Sequence, residues 1–207
     1  MRYGHKQSYT LVEILVVIAI IGILLSISIP AFEKITKGNR VNNAAASIGT
    51  ALSLARSQAI SMRQRVAVIL PTTTTAGVKN KRSIRLAYVN SANNFTAWLP
   101  GSKWLELPEG TLFAEADNAT QWQAVGFTSL SNISNVNLDG SLIPLTGIVF
   151  TPYGSVDITS PQVFIMVTDG VVNSVSGVIT YTSYDGSKPL NTMEITINKF
   201  TGRASYE

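Results

Sequence analysis

The sequence has no cysteine and only one histidine, His5. Without thiols there are no disulfides and no thiolate metal sites. Beyond His5, neither Ser-His-Asp nor Cys-His catalysis has its residues, and the usual zinc ligand sets are missing. The twelve acidic residues form no tight cluster, and no Gly-rich loop is placed to cradle phosphate. An enzyme is therefore not expected. Asp117, Asp139 and Asp185 lack EF-hand spacing, so no metal and no cofactor are expected either. Charged residues are scarce, 14% of the chain against about a quarter in an ordinary globular protein.

Acids are also missing locally. From Lys34 to Lys103 there are eleven Lys and Arg and no Asp or Glu. From Glu106 onward there are ten acids against Lys188, Lys199 and Arg203. The first half of the exposed chain is basic and the second acidic. Such a division suits a solvated basic face, or one paired with the domain's own acidic half. It also suits a surface that meets phosphate.

What the sequence does contain is a long apolar run. Residues 1–8 are short, polar and basic, and Leu11–Ile29 is apolar apart from Glu13, Gly22, Ser26 and Ser28. Tyr9 to Ile29 is 21 residues, roughly 31 Å as a helix, close to the ~30 Å hydrocarbon core of a bilayer. The basic residues before it would remain on the cytoplasmic side, with the C-terminus outside. An ordinary secretory signal, cut near Ser26, Ser28 or Ala31, is the lesser alternative. Glu13 argues against it. A carboxylate at the centre of a bilayer costs about 2.5–3.5 kcal/mol on insertion scales, and so marks a partner or a function. A hydrated Glu13 at the membrane interface is the plainer reading.

Ser8-Tyr9-Thr10-Leu11-Val12-Glu13, followed by the apolar run, resembles the processing signal of type IV pilins and pseudopilins. That resemblance implies a leader at 1–8, cleavage by prepilin peptidase between Ser8 and Tyr9, and N-methylation of Tyr9. It implies pairing of Glu13 with the N-terminal amine of a neighbouring subunit, and a helix-kinking role for Pro30. Two positions depart from the family pattern: Ser8 stands where glycine is usual, and Tyr9 where phenylalanine is.

After Pro30 a helical pattern continues to about Arg65. Val41, Ala45, Ile48, Leu52, Ala55, Ala59 and Met62 make one stripe, which predicts packing on the domain's own sheet. Gly38 and Gly49 weaken the helix locally. The period then becomes two. Val66–Leu70, Ser83–Val89, Phe95–Leu99, Trp104–Leu107, Gly147–Val149, Val163–Thr168, Val178–Thr182 and Met193–Lys199 read as strands. Asp169-Gly170 and Asp185-Gly186 read as turns. The stretch 118–144 reads as a long surface loop or insertion. The fold class is α+β, a long N-terminal helix packed on antiparallel sheet. Its organisation is 1–8 leader, 9–30 membrane and assembly half of the helix, 31–65 its amphipathic periplasmic half, and 66–207 β-rich domain.

Phe150-Thr151-Pro152-Tyr153-Gly154 and Thr201-Gly202-Arg203 resemble elements of the GspH/FimT branch of pseudopilins, as does the helix around Ala55–Ala59. Phe150 is expected in the core. The branch implies two readings. The first is a structural subunit near the tip of the pseudopilus of a type II secretion system. Its partners are other pilin subunits, prepilin peptidase, the inner membrane and a secreted substrate. The second is a minor pilin that takes up DNA. Its candidate phosphate contacts are Arg56, Arg63, Arg65, Lys79, Lys81, Arg82, Arg85 and Arg203. For that role the branch uses a C-terminal Gly-Arg-x-Arg, of which Gly202-Arg203-Ala204-Ser205 keeps only the first arginine.

Overall fold

The computed structural model describes residues 11–72, 74–114, 130–158, 162–173, 175–182 and 189–206. The chain forms two units, 1–38 and 39–207. The helix α1 (Leu11–Met62) contributes to both. In the first unit, every large apolar side chain from Leu11 to Leu25 is exposed.

In the second unit α1 supplies one wall of the core. Val41, Ala45, Ile48, Leu52, Ala55 and Ala59 are buried as the stripe predicts, joined by Ala44 and Ala51. Five of these eight are alanine, which lets the helix approach the sheets closely. Met62 departs from the stripe and is 54% exposed. The helix ends there, three residues short of the predicted end, because Arg63 takes a positive φ of 51° and turns the chain out of the helix. Gly49 is buried, and the Tyr206 hydroxyl occupies the place of a side chain there.

Two antiparallel sheets follow. The first contains β1 (Arg65–Leu70), β2 (Ser83–Val89), β3 (Phe95–Trp98), β4 (Leu105–Glu106), β6 (Ser131–Leu138) and β7 (Ser141–Phe150). Its order is β3-β2-β1-β7-β6, and β4 also pairs with β2. The second contains β5 (Thr111–Ala114), β8 (Gln162–Val172), β9 (Ile179–Tyr181), β10 (Thr192–Asn198) and β11 (Ala204–Tyr206). Its order is β11-β10-β8-β5, with β9 on the last residues of β8. A 3-10 segment, Thr74–Lys79, lies between β1 and β2.

The alternation of strand side chains divides the interior. Val66, Val68, Leu70, Ile84, Leu86, Ile148 and Phe150 of the first sheet share one core with the α1 stripe. Phe113, Val163, Ile165, Val167, Ile195 and Ile197 of the second sheet complete it. The opposite residues of the first sheet, among them Ala67, Ile69, Ala87, Val89, Ile133, Leu145 and Val149, form a second core. That sheet curls until its outer strands meet. Asn94 bridges Ser134, and the Ser134 amide donates to the Asn93 carbonyl at 3.3 Å. The curl wraps the second core, with Phe95, Trp98 and Trp104 packed against it.

Three sequence readings change. Asp169-Gly170 is no turn. It lies inside β8, with Asp169 buried opposite Thr111 and Gly170 pressed against β9 and Leu112. Residues 131–144 are not a loop but most of a hairpin. Leu138 pairs with Ser141 around Asp139-Gly140, whose φ values of 51° and 92° suit a two-residue turn between twisted strands. The rest of the expected insertion, 118–129, and the turn at Asp185-Gly186 lie outside the described residues. β5 and β11 are short strands that the sequence did not reveal.

Leu52→Ala in residues 39–207 should lower unfolding free energy by about 3 kcal/mol through a cavity under the helix. Met62→Ala, at an exposed position, should change it by less than about 0.5 kcal/mol. Denaturant midpoints of the two variants check the stripe directly.

Candidate functional site

Glu13 lies in the first turn of α1 among outward-facing apolar side chains. A carboxylate in a first turn is favoured by the helix dipole. Ser8 and Tyr9 lie outside the described residues. Pro30 falls inside α1. Among the described residues no helix is long and apolar enough to cross a membrane.

In the second unit the two sequence elements near residues 150 and 202 meet at Arg56. The Arg56 Nε donates to the Thr201 carbonyl at 2.8 Å and to the Gly154 carbonyl at 3.3 Å. A helix side chain thus fastens two loops that lie far apart in sequence. The 150–156 turn holds itself through Gly154 N to Thr151 O at 2.8 Å, Thr151 N to Ser155 O at 2.8 Å, and a 2.7 Å contact between the Thr151 and Ser155 hydroxyls. The 198–203 turn is organised by Asn198, whose Oδ1 accepts from the Phe200 and Thr201 amides, each at 3.0 Å. The two turns touch at Gly202. A β-carbon there would lie 2.1 Å from the Gly154 carbonyl oxygen, and its φ of 62° also disfavours a side chain. Phe150 is fully buried.

The predicted phosphate contacts differ in their surroundings. Arg65 forms an ion pair with Asp157, and it donates to Asn93 Oδ1 at 2.8 Å. Lys79 pairs with Asp139 at 2.9 Å. Arg85 stacks on Trp98, 4.1 Å from the ring centroid, and lies 6.0 Å from Trp104, which Lys79 also approaches at 6.0 Å. Burial lowers the Arg85 pKa, and Asp139 acts in the opposite direction. Lys81 is buried, with a φ of 56°. Arg82 is half-buried, while Arg63 and Arg203 are exposed. The basic first half of the chain is thus joined to the acidic second half at Asp139 and Asp157. The Trp98–Trp104 pair and the Asn198 turn went unnoticed in the sequence. Trp98 at the end of one strand and Trp104 just before the next were the available signal for the first, and Asn-x-x-Thr-Gly for the second.

A helix against antiparallel sheets, preceded by an apolar helical segment with one glutamate, is the type IV pilin-like class of protein. The family model described as "Prokaryotic N-terminal methylation motif" matches residues 4–29, and "Type II transport protein GspH" matches 44–206. The latter covers well over half of the chain, which therefore belongs to the GspH family. No curated protein matches the sequence. Two solved structures are similar in fold. The type IV minor pilin FimU of Pseudomonas aeruginosa is 15% identical, with 84% of this chain and 92% of that one covered and a TM-score of 0.45. The minor pseudopilin EpsH from the Type 2 Secretion System of Vibrio cholerae is 13% identical, with 81% and 94% covered and a TM-score of 0.43.

Gly202→Ala should cost about 2–4 kcal/mol, since both the backbone conformation and the Gly154 carbonyl oppose a side chain. Arg56→Ala should cost about 1–3 kcal/mol by leaving two carbonyls without their donor. Thermal and urea unfolding of residues 39–207 measure both.

Proposed function

We propose that the chain is a minor pseudopilin of a type II protein secretion system, a structural subunit at or near the tip of the pseudopilus and not an enzyme. The observation that carries this reading is the occurrence of the methylation motif at 4–29 and the GspH domain at 44–206 in one chain. Prepilin peptidase cuts between Ser8 and Tyr9, and Tyr9 is then methylated. The segment from Tyr9 to Pro30 anchors the chain as a single pass in the bacterial inner membrane, with the β-rich domain in the periplasm. Its outward apolar side chains require lipid before assembly and neighbouring helices afterwards. Glu13 pairs with the N-terminal amine of the adjacent subunit. Each charge alone is costly in an apolar medium, and together they set the axial register.

DNA uptake is the alternative. Two features weigh against it. Arg65 and Lys79 are neutralised by acids of the same domain, and Arg56 and Arg85 are engaged with carbonyls and tryptophan rings. Of the eight candidates, Arg63, Arg82 and Arg203 remain for phosphate, and the second arginine of the C-terminal element is missing.

Deletion of the gene in its host should abolish export of type II substrates and leave DNA uptake intact; the reverse pattern selects the alternative. Glu13→Ala should leave cleavage at Ser8–Tyr9 unchanged but reduce recovery of the subunit in sheared filaments at least tenfold. Residues 39–207 should show no salt-sensitive retention of DNA at physiological ionic strength. Steeply salt-dependent binding lost in Arg203→Ala would overturn the secretion reading.

A further inference from the structure

The Arg56 junction does more than join two loops. It displays two aromatic side chains at the surface. Tyr153 is 91% exposed and Phe200 is 74% exposed. Each adjoins a residue whose carbonyl Arg56 holds, Gly154 in one turn and Thr201 in the other. Ile60 is also exposed, and its Cδ1 lies against Gly154. Aromatic rings standing in water on turns fastened by main-chain hydrogen bonds are unusual for a surface without a partner. The backbone of both turns is already ordered before any contact forms.

The segments that make the junction carry charge of one sign. The segments 52–63, 150–156 and 198–206 contain Arg56, Arg63, Lys199 and Arg203 and no acid. Arg63 and Arg203 are exposed and form no ion pair among the described residues. Elsewhere in the domain, Arg65 and Lys79 do find acids. Tyrosine, phenylalanine and arginine around an aliphatic residue is the composition of a protein–protein hot spot.

The α1 segment Asn39–Met62 runs roughly 36 Å at ~1.5 Å per residue. The first unit joins at its Asn39 end, and Ile60 and Arg63 lie at the other. We propose that Tyr153, Phe200, Ile60, Arg63 and Arg203 form a docking surface for a neighbouring filament subunit, through an acidic face with apolar pockets on that subunit. This rests on the reading of the chain as a filament subunit. The exposed Ile60 favours a protein over nucleic acid, because an aliphatic side chain gains little from phosphates or bases.

The test is photo-cross-linking of the full-length chain in membranes of its host, with benzoylphenylalanine in place of Tyr153, of Phe200 or, as a reference within the apolar helix, of Ile18. Adducts from Tyr153 and Phe200 with a co-encoded pilin-type subunit, mapped by mass spectrometry to an acidic surface, are expected. Arg63→Glu combined with Arg203→Glu should lower their yield at least tenfold and leave the Ile18 adduct unchanged. Adducts from Ile18 alone overturn the docking surface while the filament reading stands. The absence of adducts from all three positions removes both. Nuclease-sensitive adducts, or adducts only with a protein that is not pilin-like, overturn the proposal in favour of another occupant.

Discussion

The close approach of α1 to two sheets at once is the constraint on which the domain depends. Ala44, Ala45, Ala51, Ala55 and Ala59 leave room for Val66 and Val68 on one side of the core and for Ile165 and Ile195 on the other. Bulkier residues would hold the sheets away from the helix and reopen the core to water. The same proximity brings Arg56 within reach of both the 150–156 and 198–203 turns, and places Tyr206 over Gly49. The exposed aromatics, the buried Phe150 and the C-terminal strand all follow from where one face of one helix can sit.

The basic tract shows how a sequence pattern divides once the chain folds. Arg65, Lys79 and Arg85 are neighbours in composition but not in role. One is tied to Asp157, one to Asp139, and one rests on tryptophan rings. Acid-free stretches therefore do not define a cationic face, because the acids arrive from distant parts of the chain. What remains without acid is the junction of three segments around Arg56, where the sequence contains no Asp or Glu in any of them.

The helix and most strands were legible because their periods are strong. The 3.6-residue stripe identified the buried helix face up to Ala59, and β2 matched its predicted bounds. The misreadings have a common cause in turn chemistry. Asp139-Gly140 and Asp169-Gly170 are the same dipeptide. The first closes a hairpin, and the second lies in mid-strand, where β9 and Leu112 crowd the backbone and leave little space for a side chain. The sequence cannot separate a glycine needed for its dihedral angles from one needed for its lack of volume. Likewise, the Asn- and Ser-rich β6 looked like loop, yet Ile133, Val136 and Leu138 are buried in the curled sheet. For the site, the glycines near residues 154 and 202 were visible as separate elements. Their meeting at Arg56 was not, since it depends on contacts 98 and 145 residues apart in the chain.

Those separations bear on how the protein is made. During synthesis α1 emerges first, and its alanine stripe has no sheet to cover it. Arg56 cannot complete its hydrogen bonds until residue 201 is available, and β11 and Tyr206 come later still. Contacts of such long range slow folding, because loop closure precedes any gain from packing. The domain therefore completes itself only once the segment 198–206 has been delivered, and a chain stopped before Thr201 would leave the end of the helix unfastened and exposed to quality control.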